Sequence, residues 1–196
     1  MKEIIRSERF SDWLNSLRDT RARARILMRI DRMKEGNFGD AEPVGDGLSE
    51  ARIHYGPGYR VYFMQQGERI VVYCVAATKV HNPKILSWPE KSPAPGRRQI
   101  MTEQFSQWDS AEYLKNEEDM AEYLNACMEE AGDDPAFIAR ALGTIARARG
   151  MTQVAREAGV SRESLYRALS GNGNPEFGTI LKVVKALGLR LHTTSV

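Results

Sequence analysis

The side chains with the clearest chemical role lie between residues 161 and 167, where they are suited to contact nucleic acid. Arginine can pair with guanine, glutamate can accept a hydrogen bond from cytosine, and serine and tyrosine suit phosphates and base edges. If this stretch is helical, the apolar Leu165, Ala168 and Leu169 face inward and the polar residues face outward. The candidate DNA-binding set is Thr152, Gln153, Ser161, Arg162, Glu163, Ser164, Tyr166 and Arg167.

This set belongs to a predicted helix-turn-helix. Ala155 is small enough for two helices to touch there, and Gly159, four residues later, suits a turn that needs a left-handed backbone. We expect Val160 and Leu165 to fill the core between the helices and Ser161 to cap the second helix. The spacing therefore favours a helix-turn-helix whose second helix enters the major groove, with a generic helical hairpin as the alternative.

The chain has a net charge of +2, but its charges are unevenly distributed. Residues 101–134 carry eleven acidic residues and one basic residue, whereas residues 135–196 carry nine basic and three acidic residues. The basic part suits an electrostatic footprint on DNA. The acidic part is expected to contact a basic surface, either in this chain or in a partner.

A basic helix is predicted over residues 18–34, with seven arginines and lysines against Asp19 and Asp31. A solvated face is the simplest interpretation of this charge. Binding to ribosomal RNA and binding to the acidic residues 112–134 are the two alternatives.

A second candidate cluster lies on two predicted strands. Because side chains alternate along a strand, Arg52 and His54 share one face, and Arg60 and Tyr62 share that face across the turn. The four side chains are therefore expected to converge on one polar face of a sheet. Ordinary solvated strand residues are the alternative for each of them.

The order of these patterns predicts two domains, an N-terminal α+β domain of two helices followed by an antiparallel sheet, and a C-terminal all-α helix-turn-helix domain. Between them, four of the eight prolines mark a linker. Asp134 and Pro135 are expected to open a helix as its cap and first residue. The predicted parts are residues 1–79 (α+β), 80–100 (linker), 101–134 (acidic and helical) and 135–196 (helix-turn-helix). The predicted helices lie within residues 10–36, and the predicted strands span residues 49–55, 59–64 and 69–75.

Composition excludes several classes of protein. No apolar run approaches the roughly 20 residues of a membrane span, and the charged N-terminus is unlike a secretory signal. We therefore expect a cytoplasmic protein without a membrane partner. Cys74 and Cys127 are expected to be free thiols. We predict no cofactor and no metal site.

Residues 101–196 resemble a HigA-like antitoxin of the Cro/repressor-type helix-turn-helix family, the antidote of an addiction module. The resemblance is carried by AEYLNACMEEAGDDPAFIARALGTIARARGMTQVAREAGVSRESLYRALSGNGNPEFGTILKVVKALGLRL. It implies a homodimer that binds its own operator DNA as a transcriptional autorepressor and neutralises a cognate toxin.

Residues 1–79 resemble a HigB-like toxin of the RelE/ParE superfamily, through FSDWLNSLRDTRARARILMRIDRMKEGNFGD and VGDGLSEARIHYGPGYRVYF. The resemblance implies a metal-independent endoribonuclease that cleaves mRNA on the ribosome. Such cleavage needs cations to stabilise the phosphate and groups that move protons. The catalytic set it implies is Arg52, His54, Arg60 and Tyr62. Relatives in the superfamily poison gyrase instead, and the sequence leaves that alternative open.

The resemblance to the toxin family ends near Val75. Family members commonly continue with GGDKSTQ and a closing helix, whereas residues 76–82 of this chain read AATKVHN. If the codons are read one nucleotide earlier, all seven positions are compatible with GGDKSTQ. We therefore predict that a frameshift removed the C-terminal segment of the toxin and impaired its ribonuclease activity.

These observations predict a fused type II toxin–antitoxin protein whose surviving activity is operator binding. An active mRNA interferase restrained by its fused antitoxin is the first alternative, and a remnant of a gyrase-poisoning toxin is another. In each case the antitoxin half is expected to contact the toxin half in cis or in trans.

Overall fold

The computed structural model of this chain describes residues 1–76, 104–173 and 175–192. The predicted linker over residues 80–100 and all but the first residue of the shifted segment 76–82 lie outside the described residues. The described residues form two compact units, which fall within Met1–Leu17 with Arg29–Trp108 and within Arg18–Met28 with Asp109–Val196. The sequence divisions at residues 79, 100 and 134 stay predictions.

The first unit is built on a six-stranded sheet with the strand order β2-β3-β4-β5-β1-β6. The strands are β1 (Glu3–Ser7), β2 (Ala41–Gly45), β3 (Leu48–Ile53), β4 (Tyr59–Gln66), β5 (Arg69–Ala76) and β6 (Phe105–Gln107). Strands β2 to β5 form an antiparallel meander, and the three strands predicted from alternation correspond to β3, β4 and β5.

The predicted order of two helices followed by an antiparallel sheet is wrong. Strand β1 precedes both helices and pairs in parallel with β5, so the sheet is mixed. Strand β1 is only five residues long, so its sequence has no alternation that would predict a strand. Its conformation depends on pairing with β5, which lies more than 60 residues away. Ser7 joins the elements: its hydroxyl donates to the carbonyl of Tyr73 at 2.7 Å and accepts from the N–H of Phe10 at 3.1 Å.

The expectation of a helical chain from residue 101 onward is also wrong at its beginning. Strand β6 lies inside the segment predicted as acidic and helical, and it pairs antiparallel with β1. Its three residues are exposed, and a segment this short has no helical or strand periodicity from which its conformation could be predicted. Pairing with an existing strand, which local sequence does not encode, decides its conformation.

Helix α1 (Glu8–Ser16) and helix α2 (Thr20–Lys34) occupy the positions predicted for two helices. Most of their apolar residues are buried, including Phe10, Leu14, Ile26 and Ile30. Helix α2 supplies residues to both units, since Arg18–Met28 are grouped with the second unit.

The second unit is helical apart from its connections. Its helices are a 3₁₀ turn over Ser110–Tyr113, α3 (Glu117–Ala131), α4 (Pro135–Arg149), α5 (Met151–Ala158), α6 (Arg162–Leu169) and α7 (Phe177–Ala186). The predicted opening of α4 is confirmed, because the Asp134 carboxylate accepts from the N–H of Phe137 at 2.9 Å and Pro135 begins the helix. Gly150, with φ 103°, follows the last residue of α4 as its C-terminal cap.

None of the helices in the described ranges is both long enough and apolar enough to cross a membrane. Cys127 is a buried free thiol, as predicted. The side chain of Cys74 lies outside the part of the chain that the structure describes.

Candidate functional site

The two helices α5 and α6 are joined by the turn that the sequence predicts. Gly159 adopts a left-handed conformation with φ 67°, and the Ser161 hydroxyl accepts from the N–H of Ser164 at 3.0 Å to cap α6. Ala155 and Leu165 are buried between the helices, and Val160 is half-buried. The helix-turn-helix geometry is therefore present in the second unit.

The polar side chains of α6 face outward. Arg162, Glu163, Tyr166 and Arg167 are exposed, as are Thr152 and Gln153 on α5. The Arg162 guanidinium lies over the Tyr166 ring, 5.5 Å from its centroid, and donates to the phenol oxygen at 3.3 Å. These two contacts hold the Arg162 guanidinium over Tyr166. At the start of the same helix, the Ser161 and Ser164 hydroxyls lie 2.8 Å apart.

The sheet cluster forms around a carboxylate that was not among the predicted residues. Arg52 on β3 lies directly opposite Arg60 on β4, so the two arginines share one face of the sheet. The buried Glu50 contacts both arginines: its carboxylate accepts a hydrogen bond from Arg52 Nε at 3.1 Å and lies 3.6 Å from Arg60 Nε. Its neighbour Tyr62 shares the face but is buried at 1 % exposure.

Further carboxylates surround the two arginines. Arg52 also binds the carboxylate of Glu42 and lies 3.7 Å from that of Asp40. Hydrogen bonds to Glu42 and Glu50, with the nearby charges, raise the pKa of the Arg52 guanidinium. His54 lies just beyond β3, is exposed, and pairs with Asp40 at 2.7 Å. The positive charge of this face is thus balanced by three carboxylates, those of Asp40, Glu42 and Glu50. Of these, Glu50 could have been predicted from the sequence, because it lies two residues before Arg52 on the same strand and so shares its face.

The second unit contains a row of ion pairs between the N-terminal part of α2 and helix α3. Arg21 pairs with Glu122 at 3.4 Å, and Arg25 pairs with Glu129. Arg23 binds Asp119, whose other carboxylate oxygen accepts from the N–H of Lys115 at 3.0 Å. The structure thus joins the basic helix to the acidic segment, one of the alternatives that the sequence leaves open.

A second set of contacts places residues Gln104–Trp108, which we call the arm, on the edge of the sheet in the first unit. Ser106 lies opposite Arg6, with hydrogen bonds from the N–H of Glu8 to Gln104 and from that of Trp108 to Ile4, both 2.9 Å long. No local pattern in the sequence predicts this contact.

The side chain of Trp108 is the buried part of the arm, at 4 % exposure. Its indole N–H donates to the Asp31 carboxylate at 3.0 Å, and its ring lies 5.8 Å from that of Phe10. At the other end of the arm, Phe105 meets Tyr73 edge to face at 5.8 Å. A lone tryptophan after an exposed polar stretch is the signal that could have pointed to this anchor.

Within residues 1–76, 104–173 and 175–192, no three His, Cys, Asp or Glu side chains are grouped so that they could hold a metal ion.

Comparisons with known proteins match the C-terminal half. A family model described as "Probable addiction module antidote protein" matches residues 104–195, which include the arm and the helix-turn-helix. An uncharacterized protein of Haemophilus influenzae is 56% identical over 92 residues, or 47% of this chain and 93% of the relative. A second uncharacterized protein of the same organism is 47% identical over 66 residues, or 33% of this chain and 67% of the relative. No solved structure matches the chain significantly.

Proposed function

This chain belongs, through residues 104–195, to the family of probable addiction module antidote proteins, and on this premise we propose that it is a type II toxin–antitoxin fusion. Its antidote half binds operator DNA as an autorepressor and neutralises the N-terminal half. The observation that carries the proposal is that the family-matched stretch includes a helix-turn-helix with an exposed polar face on α6.

The DNA interface is formed by the exposed face of α6 with support from α5. Arg162 and Arg167 are the cations that would reach bases or phosphates, and Ser161 and Ser164 are placed to contact phosphates. A homodimer would place one α6 in each of two half-sites, and the operator would then share the two-fold symmetry of the dimer.

Gel-shift titration of the full chain with duplex DNA taken directly upstream of its coding sequence tests this interface. We expect the Arg162→Ala/Arg167→Ala variant to lose at least tenfold in affinity. Lys182→Ala/Lys185→Ala on α7 removes the same charge from outside the interface and should lose much less. Equal losses of affinity in the two variants would contradict the proposed interface, because they would show that only non-specific attraction between charges holds the DNA.

The N-terminal half is proposed to be a RelE/ParE-like toxin that the antidote half holds in cis. Two contacts support this: three arginines of residues 18–28 pair with α3, and the arm adds a strand to the N-terminal sheet. Impaired ribonuclease activity is supported by the pairing of Arg52 with Asp40, Glu42 and Glu50, which opposes binding of a phosphate there. The proposed loss of a C-terminal segment by a frameshift acts in the same direction, and sequencing of the gene around codons 74 to 101 tests it.

An active mRNA endoribonuclease is the second candidate, favoured by the direct opposition of Arg52 and Arg60 on neighbouring strands. Expression of residues 1–100 alone distinguishes the two. Growth arrest that disappears with Arg52→Ala/Arg60→Ala, but persists with Arg9→Ala/Arg69→Ala, would establish the enzyme. An absence of arrest, with the fragment detected in the cells, supports the impaired toxin.

A further inference from the structure

The connection between helices α6 and α7 contains an asparagine followed directly by a glycine, Asn172–Gly173. Both residues are exposed, and neither belongs to a helix or a strand. We propose that this pair is a site of spontaneous deamidation, which replaces the neutral Asn172 side chain by a carboxylate beside the proposed DNA interface. The chemical part of the inference is independent of DNA, and only its effect on operator binding rests on the proposed function.

Asparagine is a thermolabile residue, and its deamidation needs water as the only co-reactant. The backbone nitrogen of Gly173 loses its proton to base, attacks Cγ of Asn172 and forms a new C–N bond. The Cγ–Nδ2 bond breaks, and ammonia leaves with the amide nitrogen, its two hydrogens and one further proton. Water then opens the succinimide ring at either carbonyl, which yields aspartate or isoaspartate and adds one negative charge to the chain.

The structure leaves both reacting groups accessible. Within the described residues, neither the side chain of Asn172 nor the N–H of Gly173 takes part in a hydrogen bond. Gly173 has no Cβ to shield its nitrogen, and a Cβ built there would meet only the carbonyl oxygen of Arg167, at 3.8 Å. The Asn172 side chain can therefore rotate towards a nitrogen that is neither bonded nor crowded.

Two other asparagines show what distinguishes this pair. Asn37 is also exposed, but its side-chain oxygen accepts from the N–H of Gly39 at 3.1 Å, and a phenylalanine follows it. Asn174 precedes Pro175, which has no N–H and so cannot supply the attacking nitrogen. The reaction should therefore be faster at Asn172 than at either of them.

The new charge lies beside the end of helix α6. The Ser170 hydroxyl donates to the carbonyl of Arg167 at 2.9 Å and accepts from the backbone N–H of Asn172 at 3.2 Å. These bonds hold Asn172 next to the helical turn that carries Arg167, one of the two proposed DNA-binding cations. A carboxylate at this place repels phosphates and offsets part of the positive charge, so operator affinity should fall as the protein ages.

Mass spectrometry of the full chain tests the reaction. The protein is incubated at mildly alkaline pH and digested with trypsin, and fragmentation of the peptide 168–182 locates the replacement of –NH₂ by –OH. Gly173→Ala is the matched control, because it keeps Asn172 and the φ of Gly173 lies outside the left-handed region. The added Cβ shields the nitrogen and should slow conversion of Asn172 about tenfold. Equal rates in the two chains, or conversion no faster at Asn172 than at Asn37, would overturn the proposal.

Asn172→Asp measures the effect of the charge on DNA, with Asn172→Gln as the neutral control. In gel-shift titrations at low salt, the aspartate variant should bind the upstream duplex about fivefold less tightly, and the difference should shrink as salt is raised. Equal affinities of the two variants would contradict the effect on DNA. If the wild type binds no upstream DNA, the proposed function fails, whereas the mass spectra still decide whether Asn172 is deamidated.

Discussion

Arg23 of helix α2 is ion-paired with Asp119 of helix α3, whose side chain is only 3 % exposed. Asp119 has a second role in its own helix, because its backbone N–H is bonded to the side chain of Asn116, which caps α3. A buried carboxylate of this kind depends on its cation, since removing one partner of a buried pair leaves an uncompensated charge.

We therefore predict that Arg23→Ala lowers the free energy of unfolding of the second unit by about 3 kcal/mol. Arg21→Ala is the control, because the Arg21 side chain is 68 % exposed and its pair with Glu122 should contribute less than about 1 kcal/mol. Urea denaturation followed by circular dichroism measures both. Adding Asp119→Asn to Arg23→Ala should restore part of the loss, and no restoration would mean that packing, rather than charge, explains the effect.

The Arg162–Tyr166 contact leads to a prediction about the proposed DNA interface. Tyr166→Phe keeps the ring under the guanidinium and removes only the hydrogen bond, whereas Tyr166→Leu removes both. Exposed cation–π contacts contribute about 0.5–1 kcal/mol, so Tyr166→Leu should weaken operator binding about threefold more than Tyr166→Phe. Gel-shift titrations of the two variants measure the difference. Equal affinities would show that Tyr166 does not position Arg162.

The helix-turn-helix and the meander were predictable because their signals are local. A glycine at the turn, a serine cap, and alternation along β3 and β4 each act within a few residues of the chain. Strands β1 and β6 were missed because parallel pairing and edge addition join residues far apart in sequence. Asp40 and Glu42 were missed because they reach Arg52 from β2 and the loop before it, and strand pairing rather than local sequence brings them there.

Substitutions at two glycines of the second unit distinguish the cost of backbone strain from the cost of steric crowding. Gly159 has φ 67° with open space where a Cβ would lie, whereas a Cβ on Gly171, at φ 74°, would come within 2.9 Å of the carbonyl of Ala136. A left-handed conformation costs a residue with a Cβ about 1–2 kcal/mol. Gly159→Ala should therefore destabilise the unit by about that amount, and Gly171→Ala by more. Thermal unfolding of the two variants tests the order, which would be reversed if the turn at Gly159 were the more constrained position.

We predict that Glu50 offsets the repulsion between Arg52 and Arg60 on the sheet. Its carboxylate is buried at 2 % exposure and lies between Arg52 and Arg60, which face each other across β3 and β4. Glu50→Gln keeps the shape but leaves two like charges side by side, so we expect it to destabilise the first unit by about 2 kcal/mol. Because the loss comes from repulsion between the arginines, adding Arg60→Gln should recover about half of it. The free energies of unfolding of the single and double variants form a cycle, and purely additive values would show that Glu50 acts through its other contacts instead.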